Sequence, residues 1–147
     1  ILGVNLIHAA FYHALKPKWI IESLLDNLGS GRMEIDLINF SGPYFEEVDN
    51  RLMNLHLVRA WCCRAVMYNN QTQPVVPGDE LRKQHTLVLR GTFNPPTKVH
   101  VDMMASALRQ FTEEENLNPD SITCLAEITM ADLNKDKDQA DASFLAG

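Results

Sequence analysis

Between residues 85 and 115 the pattern of apolar and polar positions changes period, and this change organises the chain. His85-Thr86-Leu87-Val88-Leu89-Arg90 is a short aliphatic run bounded by turn residues, as expected for a buried strand of a parallel sheet. Ten residues later Val101, Met104, Leu108 and Phe111 recur at helical spacing, with Asp102, Arg109, Gln110 and Glu113 between them. Earlier, Leu2, Val4, Leu6 and Ile7 read as a strand, with a tail towards His13 that can turn helical. Pro17 suits the first turn of a helix whose apolar face, Ile21, Leu24, Leu25 and Leu28, stops at Gly29-Ser30-Gly31. Met33, Ile35, Leu37 and Ile38 predict a strand ending at Ser41-Gly42-Pro43. Phe45, Val48, Leu52, Leu55 and Val58 predict a helix from about Pro43 to Trp61.

Ala65 to Tyr68 follows as a strand, Asn69 to Gly78 as a loop, and Asp79 to Lys83 as one helical turn. Asn116 to Asp120 reads as a turn and Ile122 to Met130 as a last strand. This alternation predicts an α/β fold: a doubly wound, Rossmann-like, mostly parallel sheet in three layers. One domain is expected over 1–133, with 134–147 a charged, flexible tail. Ligands of such sheets bind outside the carboxyl ends of strands, an address that fits both Ser41-Gly42-Pro43 and the stretch after Arg90 as lips of one cleft.

Composition narrows the function classes. The 147 residues are 46% hydrophobic and 22% charged, with a net charge of −6, which suits a globular chain and disfavours a nucleic-acid binder. No apolar run is long enough to predict a membrane span, and Ile1 to Phe11 lacks a signal-peptide pattern. Because the chain starts within an apolar run, it is expected to be a fragment, a processed product or the ordered part of something longer. Cys62, Cys63 and Cys124 have neither zinc nor disulfide spacing; all three are expected to be buried, in a reducing compartment such as cytoplasm or an organelle matrix. The histidines at 8, 13, 56, 85 and 100 form no metalloenzyme motif. Glu34, Asp36, Glu46, Glu47, Asp49 and Asn50 gather near Ser41-Gly42. Asp49 with Glu46 could hold Mg²⁺, although acidic first turns more often face water.

The junction itself is Gly91-Thr92-Phe93-Asn94-Pro95-Pro96-Thr97-Lys98-Val99-His100. Glycine at a strand end lets a ligand approach the backbone, and the first turn of the next helix offers unpaired N–H groups to an anion. Thr97 is equally an ordinary N-cap, and Pro95 and Pro96 ordinary residues before a helix. The decapeptide resembles the phosphate-binding motif of the nucleotidylyltransferase superfamily, G-x-F-x-P-x-H-x-G-H. It is closer to the G-S-F-N-P-x-T-x-x-H form of eukaryotic-type nicotinamide mononucleotide adenylyltransferases, matching at Gly91, Phe93, Asn94, Pro95, Thr97 and His100. The stretches Ser23 to Leu28, Ile35-Asp36, Phe40 to Pro43 and Val48 to Leu52 are also similar to nicotinate-nucleotide adenylyltransferase-like proteins.

The resemblance implies that Gly91, Thr92, Phe93 and Asn94 line an ATP site. It implies that Thr97 and His100 approach the phosphates as the catalytic pair, with ATP and Mg²⁺ as cofactors and a nicotinate or nicotinamide mononucleotide as co-substrate. Lys98, at a variable position of the motif, would add a mobile positive charge. One departure counts against an active enzyme: no counterpart exists of the family's second signature, I-S-x-T-x-x-R. Val99, where bacterial members have glycine, crowds the helix entry, although eukaryotic-type members tolerate a larger residue there. Two expectations therefore stand side by side: a nucleotide-binding domain of an adenylyltransferase-like protein, or a catalytically silent relative serving as a structural subunit, with protein partners in an oligomer or larger assembly.

Overall fold

The computed structural model describes residues 1–28, 31, 33–131 and 133, so the tail expected over 134–147 lies outside the described residues. The chain is a mixed α/β protein of small sheets that divides into two compact units, Ile1–Glu80 and Leu81–Gly147.

The first unit opens with helix α1, Leu2–Tyr12, where the sequence pattern predicts a strand. The reason is that nearly every position here is apolar, so periodicity cannot separate strand from helix. Asn5 and Ala9, one turn apart, decide the outcome: Asn5 Nδ2 donates to the carbonyls of Leu24 and Asp26 at 2.8 Å, and Ala9 is fully buried. Helix α2, Pro17–Ser23, is shorter than the expected run to Leu28 and continues as turns. Helix α3 spans Asn50–Arg59, not Pro43 to Trp61. Asp49 is its N-cap, accepting from the Arg51 amide at 2.9 Å, and residues before it form turns. The helix ends with the Trp61 and Cys62 amides donating to Val58 and Leu57, which sets Trp61 at φ +58°.

The strand predicted over Met33–Ile38 does not join a sheet. Its partners are the Cys62 carbonyl, which accepts from the Ile35 amide at 2.9 Å, and side chains of α3. Asn54 Oδ1 accepts from the Ile38 amide (3.1 Å) while its Nδ2 donates to the Ile38 carbonyl (2.8 Å). Asn50 does the same for Phe40, at 2.7 and 3.0 Å. Two asparagines one turn apart thus stand in for a neighbouring strand, reaching alternate residues of the segment. Asn54 is almost wholly buried beside a core of Ile21, Met53, Leu57, Cys62 and Cys63. Strand β1 is reduced to Met67–Tyr68 and pairs antiparallel with β2, Pro74–Val75, inside the expected loop. Asn69 ties the intervening turn by accepting from the Gln71 and Gln73 amides at 2.9 Å. A short helix α4, Pro77–Glu80, begins slightly before the expected turn.

The second unit follows its predicted order closely. Strand β3, His85–Arg90, helix α5, Lys98–Glu115, a 3₁₀ turn at Pro119–Ser121 and strand β4, Ile122–Glu127, succeed one another, and β3 and β4 pair in parallel. Strand β4 stops three residues before the expected Met130. No described side chain of this unit reaches full burial, because α5 alone packs against a two-stranded sheet. Cys124, expected inside, is exposed on β4 for the same reason.

Three outcomes follow. Asn54→Ala leaves two backbone groups of Ile38 without partners and should cost about 3 kcal/mol in urea unfolding. The Arg51 guanidinium, bidentate on Asp49 at 2.7 and 3.0 Å, holds that carboxyl down from 3.8 to about 2. Its folded value is the lower one, so the stabilisation is complete above the unfolded value and lost as pH falls through about 2. The melting-temperature gap between the native chain and Asp49→Asn should therefore close as pH is taken from about 5 to about 2. Burial pushes the Cys62 thiol up and the Cys63 thiol to about 11, so in the native protein a thiol reagent at neutral pH should label Cys124 alone, as read by peptide mass mapping.

Candidate functional site

Parallel strands place the loop after β3 at the carboxyl end of the sheet. The Gly91 amide donates to the Glu127 carbonyl (3.1 Å), carrying the ladder one residue past β3, and Arg90 grips the Glu127 carboxylate at 2.8 and 3.0 Å. Beyond Gly91 the chain turns away. Phe93 has φ +48°, in the left-handed region that a bulky residue rarely enters, and the Asn94–Pro95 bond is cis. The Phe93 ring lies over Gly91, where an added Cβ would meet it at 3.4 Å, an ordinary van der Waals contact, so the ring's position does not by itself require glycine there. The Phe93 ring also meets His100, with centroids 5.0 Å apart.

Thr97 is the N-cap of α5, with extended backbone, and His100 is the third residue of the helix. The Thr97 amide donates to His100 Nδ1 at 3.0 Å, and Thr97 Oγ1 lies 2.9 Å from the same nitrogen. This is a capping box in which histidine takes the place of the usual Glu or Gln. Because Nδ1 accepts from an amide, the neutral ring carries its proton on Nε2. Thr97 and His100, expected as a pair facing phosphates, thus bind each other first. The donors of the first turn are the amides of Lys98 and Val99, His100 Nε2–H and the exposed Lys98 ammonium, none with a partner among the described residues. Together they form one polar rim at the positive end of an 18-residue helix.

Beside this rim runs an apolar groove of about 570 Å³, lined by Phe93, His100, Val101, Met104, Leu108 and Ile128 among others. The sequence pattern assigned Val101, Met104 and Leu108 to a core-facing stripe. The groove exists because that stripe is wider than the two strands it covers. Ile128, just past β4, is the residue that sequence reasoning missed; the apolar run from Ile122 marked it only as part of a strand.

All seven expected site residues, Gly91, Thr92, Phe93, Asn94, Thr97, Lys98 and His100, fall within this one loop and first turn. Ser41-Gly42-Pro43, the other expected lip, belongs to the first unit. It forms a turn with the Phe45 amide donating to Gly42 and follows no strand. Asp49 does not join Glu46 as a metal ligand pair, since both of its oxygens are held by Arg51. Among the described residues no group of three or more His, Cys, Asp or Glu side chains gathers closely enough to hold a metal ion. No described helix is long and apolar enough to cross a membrane. No protein-family model matches the chain, and neither a curated protein nor a solved structure matches it.

The cap predicts unequal costs at its two members. Thr97→Ala should destabilise the second unit by about 1 kcal/mol, seen as faster hydrogen exchange at the amides following position 97. His100→Gln keeps a side-chain acceptor at the third helical position and should stay within about 0.5 kcal/mol of the native chain.

Proposed function

We propose that the second unit is the nucleotide-binding part of an adenylyltransferase-like protein, taking ATP with Mg²⁺ and a nicotinate or nicotinamide mononucleotide. One observation carries the reading. The string Gly91 to His100, chosen on sequence alone, sits at the carboxyl end of a parallel strand and at the amino end of a long helix, where β-α-β units receive phosphates. In this reading β3, α5 and β4 are one crossover of a doubly wound, three-layer sheet.

Adenylyl transfer joins a phosphate oxygen of the mononucleotide to the α-phosphorus of ATP and breaks the bond to the departing pyrophosphate. It needs alignment and charge stabilisation and no covalent nucleophile. His100 Nε2–H would donate to a non-bridging oxygen and the amides of Lys98 and Val99 to neighbouring ones, while the Lys98 ammonium follows the charge. Gly91 and Phe93 would form the floor, with Thr92 and Asn94 along the lip and Thr97 holding the imidazole in register. The loop has no carboxylate, which suits an ion that arrives on the triphosphate and keeps most of its waters. Mg²⁺ bound in that way neutralises phosphate charge.

The silent-subunit reading is favoured by a different observation: Arg90, the arginine nearest the loop in sequence, is already bidentate on Glu127. Without a further arginine the charge developing on the phosphates is poorly met.

ATP with Mg²⁺ at about 100 times its dissociation constant should stabilise the full chain by about 2.7 kcal/mol, read as a rise in melting temperature. His100→Gln should weaken binding about tenfold while leaving the ligand-free melting temperature in place. A melting curve unmoved by millimolar nucleotide would remove the nucleotide reading and leave the subunit.

A further inference from the structure

The groove beside the loop is chemically uniform. Of the ten residues that line it, His100 alone carries a polar side chain. Its volume of about 570 Å³ falls in the range of small-molecule sites. It follows α5 from His100 to Leu108, a little over two turns or about 12 Å of helix. His100 belongs both to this wall and to the polar rim, so an apolar slot and a set of anion-facing donors meet at one end.

That lining discriminates between occupants. A purine or a pyridine carboxamide laid in the groove would turn the polar atoms of its edges towards Met104, Leu108 and Ile128, and each would lose its hydration without gaining a partner. A single aliphatic chain leaves nothing unpaired there. An anionic end on that chain would lie beside His100 Nε2–H, the Lys98 and Val99 amides and the Lys98 ammonium, which have no other partner among the described residues. A cationic end would meet only donors.

We propose that the groove holds a free single-chain amphiphile, an alkyl or acyl chain ending in a phosphate or carboxylate, with the chain along α5 and the anion at His100. The groove supplies the affinity, and the rim sets which end of the ligand lies where. This inference goes beyond the nucleotide reading and does not rest on it, although the two ligands would share the rim and exclude each other there.

Calorimetric titration of the full chain with alkyl phosphates, kept below their aggregation concentrations, tests it. Affinity should rise about fourfold for each methylene added from butyl to octyl phosphate. It should level off by dodecyl phosphate, whose chain outruns Leu108. Octyl phosphate should bind about tenfold more tightly than octanol, and octyltrimethylammonium should not bind.

Val101→Glu charges the wall and Ala105→Trp fills the slot, both at exposed positions of α5. Each should weaken octyl phosphate by about tenfold or more with unchanged far-ultraviolet circular dichroism. Val88→Glu, on β3 but outside the groove, should bind like the native chain. In methionine-methyl NMR spectra Met104 should shift on titration and Met53, in the first unit, should not.

Affinity indifferent to chain length would overturn the proposal and leave only an anion at the helix end. Equal binding of octanol and octyl phosphate, or binding untouched by both α5 variants, would overturn it too. Pelleting with phosphatidic acid vesicles, lost in Val101→Glu and without binding of the free phosphates, would give the groove to a membrane lipid instead. A response to ATP with Mg²⁺ but none to octyl phosphate would remove this inference and keep the nucleotide reading, and the converse would do the reverse.

Discussion

Backbone amides and carbonyls that leave water must find partners, and in a chain with so few regular elements side chains supply many of them. In the first unit Asn50 and Asn54 pair with the backbone of Phe40 and Ile38 as a strand would, which lets an extended segment lie against a helix with no sheet present. In the second, His100 receives the Thr97 amide at the start of α5 and Asn118 receives the Asp120 amide before β4. No buried side-chain nitrogen or oxygen among the described residues lacks a partner. The loop after β3 depends on this economy, because its shape is fixed by one capping pair and one ring stacked on a glycine.

Parallel strands add the second constraint. Strands β3 and β4 cannot be joined by a tight turn, so the chain must cross over between them, and α5 is that crossing. The register that sets Arg90 beside Glu127 also fixes where the loop leaves the sheet. Candidate chemistry and fold are therefore set by the same contacts, and the apolar groove beside the loop is the part of α5 that two strands are too few to cover.

How much of this was legible in the sequence differs between the units. From His85 to Glu115 the change from a short aliphatic run to helical spacing is unambiguous, and strand, loop and helix fall where the pattern puts them. The reading of Thr97 as an N-cap was correct on local grounds. His100 as the other half of the cap was not legible, since Glu or Gln is the usual residue there. In the first unit the pattern misled wherever apolar residues were continuous or the partner was a side chain. Residues 2–7 are too uniformly apolar to show a period. Met33 to Ile38 has strand-like alternation, yet its pairing depends on the Asn54 side chain and the Cys62 carbonyl, sixteen or more residues later in the chain. Cys124 was placed inside because cysteine usually is, but a two-stranded sheet leaves it in water.

The tautomer of His100 decides what the ring can offer at the loop. Its Nδ1 accepts from the Thr97 amide at 3.0 Å, so the acceptor of the neutral imidazole is taken up in starting the helix and the group left over, Nε2–H, is a donor. An anion that meets this side chain therefore meets a hydrogen-bond donor held in place by the first turn of α5.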